Sequence, residues 1–339
     1  MSFARNIQGS NSIEGFVAGL DDAAAIALGE EPLDADQETT MALAGYCEAM
    51  TYVLQLSSDE DFSYSEQLIK SLHFMMTSYS MQNRPGLWRT GSVFVRREED
   101  AEIVYEGPDI DDVPPLMREL VEGMNDSGPG EMSIIRGAMA HVNLVMIHPF
   151  KDGNGRTARC LQSLLLARTG VLSPVFMSIE EYLGRNTQAY YDVLALVGQG
   201  SWHPGNDARP WLRFMLTAHL RQAGTLLNRI RESERLWVEL ESLATRRSVP
   251  ERSMSAPYDA AYGFRVRNGT YRAVFEDTSE AISEQTASSD LRKLVSADLL
   301  VAVGEKRGRH YQASGDLKEI MSAIRADRVQ KDRSDPFQP

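Results

Sequence analysis

The segment IHPFKDGNGRTARC, residues 147–160, limits the possible folds of this chain more than any other stretch of its sequence. It gathers a histidine, a proline, an acid, two glycines and two arginines into one short loop, and few of these residue types fill a hydrophobic core well. The segment 156–169 then carries leucines at helical spacing, with Gly170 where a left-handed cap would end the helix. The pattern predicts a polar loop that leads directly into a buried helix.

The second half of this loop has the residue types that bind phosphate. Gly153 and Gly155 flank Asn154 and let the backbone approach a ligand, and their N–H groups would lie at a helix N-terminus, where anions are favoured. Arg156 and Arg159 share one face of the first helical turn and can both reach phosphate oxygens. We therefore expect a phosphorylated ligand here.

The first half of the loop adds a metal ligand and a base. Asp152 offers a carboxylate oxygen, which Mg²⁺ prefers beside phosphates. His148 stands just before the loop, and its neutral imidazole can accept a proton from an incoming hydroxyl. A lone GNG or HPF segment is usually an ordinary turn, but the combination at fixed spacing favours a functional site.

Composition narrows the class of protein. The chain has 339 residues, 42% of them apolar, so it can form two or three domains with sizeable cores. Its net charge of −13 argues against a general binder of nucleic acids or anionic membranes. Cys47 and Cys160 are too few for a disulfide framework. Because the sequence shows neither a signal peptide nor a membrane-length apolar run, we expect a cytoplasmic protein without membrane contact.

Apolar periodicity elsewhere is mostly helical. We predict helices at 38–56, 64–80, 115–125, 132–147, 179–198 and 210–246, the last with a charged end that reads as a connector. Residues 86–106 instead predict two short strands joined by a polar turn, which together form a β-hairpin. The fold class is therefore mainly α with a small hairpin.

The C-terminal part, residues 251–339, carries equal numbers of basic and acidic side chains, unlike the acidic remainder. Helix, turn, helix and then two strands around GEKRGR form the pattern of a winged helix. Leu291, Leu294 and Val295 would face a small core. The basic residues would face outward: Arg292, Lys293, Lys306, Arg307 and Arg309. DNA binding is possible, but neighbouring acids dilute this charge, so we favour protein contact.

The loop matches the motif HPFx(D/E)GNGRxxR at every specified position, and on that match the chain resembles the Fic family. The matching residues are His148, Pro149, Phe150, Asp152, Gly153, Asn154, Gly155, Arg156 and Arg159. The likeness extends to PGLWRTGSVFV at 85–95, to the hairpin that follows, and to YYDVLAL at 190–196. It spans about residues 60–225.

The resemblance implies a helical Fic fold that transfers AMP from ATP to a hydroxyl side chain of a protein, with Mg²⁺ as cofactor. His148 would be the general base, and Asp152 would bind Mg²⁺ between the α- and β-phosphates. The remaining nucleotide contacts would come from Gly153, Asn154, Gly155, Arg156, Thr157, Ala158 and Arg159.

The hairpin at 93–106 resembles the flap that aligns a target segment in Fic proteins by strand addition, although an ordinary surface hairpin has the same pattern. Four residues of the flap would border the nucleotide: Val93, Phe94, Val95 and Arg96. Tyr190 and Tyr191 resemble residues near the adenine, but tyrosines at helical spacing also fit a core. We expect His141 to be a packed core histidine.

The N-terminal segment GSNSIEGF resembles the Fic inhibitory pattern (S/T)xxxE(G/N), as Ser10, Glu14 and Gly15. A carboxylate that reached Arg159 would form a charge-assisted pair and would remove the arginine from the γ-phosphate. The resemblance therefore implies an N-terminal inhibitory helix.

These observations predict an N-terminal helical region at 1–60, a Fic domain at 61–230, a helical connector at 231–250, a winged-helix-like domain at 251–325 and a tail at 326–339. The predicted function is that of an autoinhibited protein adenylyltransferase, which acts on a protein target or on itself, and a homodimer is one candidate assembly. Alternatives are removal of AMP, transfer of another nucleotide, or a DNA-binding regulator whose Fic domain senses nucleotide.

Overall fold

The computed structural model describes residues 2–96, 102–126, 132–170, 179–275, 281–328 and 335–337. The chain divides into two compact units. The first comprises Met1–Ala18, Ala35–Ala223 and Ser334–Pro339, and the second comprises Gly19–Asp34 and Gly224–Arg333. The sequence did not indicate that residues 19–34 belong with the C-terminal part. The predicted domain limits stay predictions.

The fold is mainly helical, as predicted. In chain order the described helices are α1 (Ser2–Ile13), α2 (Leu20–Ala27), α3 (Gln37–Ser57), α4 (Glu66–Thr77), α5 (Val113–Asn125), α6 (Ser133–Ile147), α7 (Asn154–Arg168), α8 (Glu180–Arg185), α9 (Thr187–Gly198), α10 (Arg209–Arg247), α11 (Ser255–Ala261), α12 (Asn268–Ala273), α13 (Glu284–Ser296) and α14 (Gly315–Ala326). The prediction of a single helix at 179–198 is wrong. The chain leaves helical geometry at Asn186, so two helices form there, α8 and α9.

The core of the first unit surrounds α6 and α7, which pack against each other on either side of the polar loop. Every residue from Arg156 to Leu166 is buried, although this stretch contains two arginines, a threonine, a glutamine and a serine. Leu161 and Leu165 join an apolar cluster that includes Phe150 of the loop. Because buried polar groups need partners, α7 forces its neighbours to supply them.

The predicted hairpin is present as β1 (Phe94–Arg96) and β2 (Ile103–Glu106), which pair in antiparallel fashion. Its turn at 97–101 lies outside the described residues. A third strand, β3 (Gly200–Ser201), pairs in parallel with β2 and was not predicted. The strand order β1-β2-β3 leaves β1 at an edge of this small sheet.

The second unit has its own apolar core, built from the end of α10, from α11 to α14, and from the antiparallel strands β4 (Leu300–Val303) and β5 (His310–Ala313). Leu291 and Leu294 are fully buried in it, as predicted. Val266 forms an isolated bridge with Tyr311 of β5. The order of helix, bridge, two helices and hairpin is compatible with a winged helix, which stays a prediction. The side chain of Arg307, one of the basic residues predicted to face outward, lies outside the described residues.

None of the helices within the described ranges combines the length and the apolar character that a bilayer crossing requires.

Candidate functional site

His148 follows the last residue of α6 as its C-terminal cap and has a left-handed backbone with φ of 50° and ψ of 57°. Its ring Nδ1 lies 3.1 Å from the carbonyl oxygen of Val145. Because a carbonyl can only accept a hydrogen bond, Nδ1 carries the proton and Nε2 keeps a lone pair. Burial lowers the pKa of His148, although the Val145 carbonyl and the carboxylates of Glu14 and Asp152 oppose the shift. The ring is therefore neutral at neutral pH, as a general base must be.

The loop after His148 is closed by Asn154, the first residue of α7. The Asn154 side chain accepts a hydrogen bond from the N–H of Phe150 and donates one to its carbonyl, both at 2.9 Å. Gly153 takes a φ of 77°, and a Cβ there would lie 2.9 Å from a methyl carbon of Thr77. The Asn154 side chain is thus committed to the loop, so the nucleotide contact predicted for this residue falls to its backbone N–H.

Arg156 and Arg159 are buried cations in the first turns of α7, with 0% and 2% of their surface exposed. Among the described residues, the hydrogen bonds of Arg156 are long: Tyr79 Oη lies at 3.4 Å, and Met76 O and Asp152 Oδ2 lie at 3.5 Å. Nε of Arg156 and Nη1 of Arg159 are buried and have no hydrogen-bond partner in the part of the chain that the structure describes. An unpaired buried donor costs about 1–3 kcal/mol, and more when charged, so these N–H groups are suited to an anionic ligand.

Arg159 is also bonded to the end of α1. Its Nε donates to Ser10 Oγ at 2.8 Å, and its Nη2 donates to Ser10 O at 3.0 Å and to Glu14 Oε1 at 2.6 Å. Gly15 follows with a φ of 85°. A Cβ on Gly155 would overlap Glu14 Oε1, so a side chain at this position would have to displace the carboxylate. The structure thus brings the residues of the predicted inhibitory pattern to the second arginine of the motif.

The pair of Glu14 and Arg159 is ionised. Burial opposes the charged form of Glu14, but the guanidinium of Arg159 and then that of Arg156 outweigh it, and the pKa of Glu14 is lowered. Burial likewise opposes the charge on Arg159, but the carboxylate of Glu14 raises its pKa. Both partners therefore favour the charged state at neutral pH.

Asp152 is the residue predicted to bind metal, and its side chain is 44% exposed. Its Oδ2 accepts a hydrogen bond from Asn83 Nδ2 at 2.9 Å. Among the described residues, no group of three or more histidine, cysteine or acidic side chains could hold a metal ion by itself. A single accessible carboxylate fits Mg²⁺ in a site that substrate phosphates and water complete.

Two positioning contacts were missed at the sequence level. His73 of α4 lies under the loop, where its Nε2 is 2.9 Å from Asp152 O and its Nδ1 accepts from the N–H of Gly86 at 2.9 Å. Burial lowers the pKa of His73 to about 4. Arg89 binds the loop from the other side, where its Nε donates to His148 O at 3.0 Å. The available signal was a histidine on the apolar face of α4, which the sequence alone could not link to the motif.

Thr157 and Ala158, predicted to bind nucleotide, have fully buried side chains. The hydroxyl and the N–H of Thr157 both donate to the carbonyl of Gly153, at 2.8 and 3.0 Å. Neither side chain reaches the surface of the site in this structure.

The two tyrosines of α9 have different environments. Tyr190 is 1% exposed, and its hydroxyl lies 3.0 Å from Nε2 of His141, which is itself fully buried. His141 is therefore a packed core histidine, as expected. The burial of Tyr190 also favours a place in the core, because its ring is inaccessible to an adenine in this structure. Tyr191 is 44% exposed, and its hydroxyl donates to Ile13 O at the end of α1 at 2.9 Å.

The base of the hairpin lies beside His148. The N–H of Gly107 donates to Val93 O at 3.2 Å, and a Cβ on Gly107 would lie 3.7 Å from Cβ of His148. Phe94 and Arg96 are exposed on edge strand β1. Of the hairpin residues predicted to border the nucleotide, Val93 is thus bonded to a glycine that lies against the predicted base.

Comparison with known proteins matches residues 63–166 to the Fic/DOC family. The chain is 28% identical over 233 residues to protein adenylyltransferase Fic of Nematostella vectensis, which covers 63% of this chain and 46% of that protein. It is 32% identical over 162 residues to protein adenylyltransferase fic-1 of Caenorhabditis elegans, and the aligned region covers 47% of this chain and 28% of that protein. The chain thus spans less than half the length of these relatives.

Among solved structures, a Fic family protein from Desulfovibrio desulfuricans G20 superposes with a TM-score of 0.56. The match covers 93% of this chain and 86% of that one at 21% identity. At this identity the likeness establishes the fold.

Proposed function

Because this chain belongs to the Fic/DOC family through residues 63–166, we propose that it is a protein adenylyltransferase that moves AMP from ATP to a hydroxyl side chain of a protein. One observation supports this most. The loop that joins α6 to α7 presents a neutral imidazole at His148, and the first turns of α7 carry buried guanidinium nitrogens of Arg156 and Arg159 that have no partner among the described residues.

The chemistry begins at Nε2 of His148, which accepts the proton of a serine, threonine or tyrosine hydroxyl of the target. The hydroxyl oxygen then forms a bond to the α-phosphorus of ATP, and the bond from that phosphorus to the oxygen bridging the β-phosphate breaks. Pyrophosphate leaves with the electron pair. Such transfer depends mainly on positioning and on stabilisation of phosphate charge.

The phosphates would lie against the N-terminus of α7. The backbone N–H groups of Gly153, Asn154 and Gly155 would bind their oxygens, and Arg156 and Arg159 would supply positive charge. Mg²⁺, when bound, would neutralise phosphate charge, and Asp152 would hold it.

The same site is proposed to be inhibited from within. Glu14 binds Nη2 of Arg159 at 2.6 Å, and this nitrogen is then not available to a terminal phosphate. ATP would bind without the second arginine of the motif, in a pose that does not present the α-phosphorus to the hydroxyl. Displacement of Glu14 would restore the arginine.

Intact-mass measurement after incubation with ATP and Mg²⁺ tests both parts of the proposal. Wild type should gain little AMP, whereas Glu14→Gly should accumulate adducts of the mass of AMP on itself or on an added target. Glu14→Gly combined with His148→Ala should bind ATP but form no adduct.

Several outcomes would count against the proposal. An adduct of another mass would indicate another nucleotide. Loss of AMP from a premodified target would indicate the reverse reaction. If Glu14→Gly formed no adduct on itself or on any of a range of added proteins, transferase activity would be excluded.

A further inference from the structure

His73 joins two segments that lie far apart in the sequence. Its Nδ1 accepts the N–H of Gly86, and its Nε2 faces the carbonyl oxygen of Asp152, both at 2.9 Å. A backbone N–H can only donate and a carbonyl can only accept, so the ring must be the neutral tautomer with its proton on Nε2. Both ring nitrogens are therefore used, and each bonds a different segment.

The ring also supports the loop by direct packing. It stacks on Phe150 with the ring centres 3.7 Å apart and the planes 2° from parallel. A Cβ on Gly153 would lie 3.3 Å from Cδ2 of His73, so the glycine turn lies directly against this ring. Asn154 closes the loop through a hydrogen bond to the Phe150 backbone, and His73 holds the same loop through the carbonyl oxygen of Asp152.

We infer that His73 is a positioning residue of the proposed transfer site, whose hydrogen bond to Asp152 O fixes the direction of the Asp152 carboxylate toward the metal and phosphates. The inference rests on the proposed function. Groups that orient a metal ligand typically change metal affinity or activity by about 10- to 100-fold when they are removed. His73 bonds the peptide of the ligand residue, and Asn83 bonds its carboxylate.

Two conservative variants separate positioning from simple support of the fold. In general, the side-chain amide of glutamine lies near the place of a histidine Nε2, and that of asparagine lies near the place of Nδ1. His73→Gln keeps a donor for Asp152 O and loses the acceptor for Gly86. His73→Asn keeps the acceptor for Gly86 and loses the donor. Both remove the ring stack, so their structural costs are matched.

The variants are made in the Glu14→Gly chain, in which Arg159 is free of its carboxylate. Binding of ATP is titrated calorimetrically without metal and at increasing Mg²⁺, and the thermal midpoint is recorded for each protein. Trp211→Phe serves as a control for lost stability, because it removes one buried hydrogen bond, to Ala138 O at 2.7 Å, in the same unit.

We expect His73→Asn to raise the Mg²⁺ concentration needed for half-maximal tightening of ATP binding about tenfold or more, and His73→Gln to stay within about threefold of the parent. Metal-free ATP binding should stay similar in both. Trp211→Phe should lower the thermal midpoint without changing the Mg²⁺ dependence.

Equal Mg²⁺ dependence in the two His73 variants would overturn the inference, and so would a shift of the same size in Trp211→Phe. If the parent Glu14→Gly chain bound ATP and formed AMP adducts, only the role of His73 would then be lost. If the parent neither bound ATP nor formed adducts, the proposed function itself would fail.

Discussion

Replacement of Glu14 by glutamine should lower the stability of this chain and raise its transfer activity. The substitution keeps the length of the side chain and a carbonyl oxygen that can still accept from Arg159. It removes only the negative charge opposite a guanidinium that is 2% exposed. The partial release of Arg159 should therefore give an activity between those of wild type and Glu14→Gly.

The magnitude follows from the contact. Both contacts are hydrogen bonds to a charged guanidinium, which contribute about 1.5–3 kcal/mol; the ion pair lies near the top of that range and the glutamine bond near the bottom, so the glutamine bond should be weaker by about 1–1.5 kcal/mol. That difference corresponds to about five- to tenfold easier displacement by a phosphate, against about 10- to 150-fold when Glu14→Gly removes the contact altogether. The same loss should lower the thermal midpoint by about 2–4 °C per kcal/mol.

The assay compares initial rates of AMP-adduct formation with thermal unfolding for wild type, Glu14→Gln and Glu14→Gly. Because the pKa of Glu14 is lowered, its stabilising charge is fully present above the usual value of 4.5 and is lost as pH falls through the lowered value. The difference in thermal midpoint between wild type and Glu14→Gln should accordingly shrink in acid. A glutamine variant that is as inactive and as stable as wild type at neutral pH would refute the reasoning.

Three further results are expected. Asn154→Ala should lower the free energy of unfolding by about 2–4 kcal/mol in denaturant titrations, since it strands both the N–H and the carbonyl of Phe150; an unchanged midpoint would contradict this. The acid limb of the rate of Glu14→Gly should lie below pH 6.5, because burial lowers the pKa of His148 and only the neutral ring can accept a proton; a limb above that value would argue against this base. Phe16→Ala should activate wild type several-fold, less than Glu14→Gly, because its ring lies 5.2 Å from the guanidinium carbon of Arg156 and a cation–π contact contributes about 0.5–2 kcal/mol; unchanged labelling would exclude it from the inhibition.

Most helices of this chain could be predicted from the sequence, because the spacing of apolar residues indicates which side of a helix is buried. α7 was predicted from Leu161, Leu164 and Leu165, and all three are buried. The break at Asn186 and the pairing of β2 with β3 were not readable. A strand of two residues, Gly200–Ser201, has no periodicity of its own, and only its contact with Tyr105 and Glu106 defines it.

The sequence predicted which residues form the candidate site, but it predicted fewer of the residues that these side chains bond to. The spacing of Gly153, Gly155, Arg156 and Arg159 predicted an anion-binding turn, and the structure places these residues at the N-terminus of α7. His73 meets Asp152 across 79 positions of the sequence, and Glu14 meets Arg159 across 145. No local pattern encodes such distances, and the second pairing was expected only because the N-terminal segment resembles an inhibitory pattern.

The burial of α7 explains why these partners come from so many elements. Gln162 accepts from His141 of α6 at 2.6 Å and lies 3.3 Å from His219 of α10, and Ser163 donates to Glu180 of α8 at 2.9 Å. Within α7, the buried side-chain nitrogens that have no partner in the described ranges are Nε of Arg156 and Nη1 of Arg159. A helix that pairs its other buried polar side chains could pair these as well, for example with a second carboxylate from α1. Instead, one nitrogen on each motif arginine has no partner among the described residues, and the rest of Arg159 is bonded to Ser10 and to the partly exposed carboxylate of Glu14. This is the arrangement expected if an anion from solvent must compete for the same guanidinium.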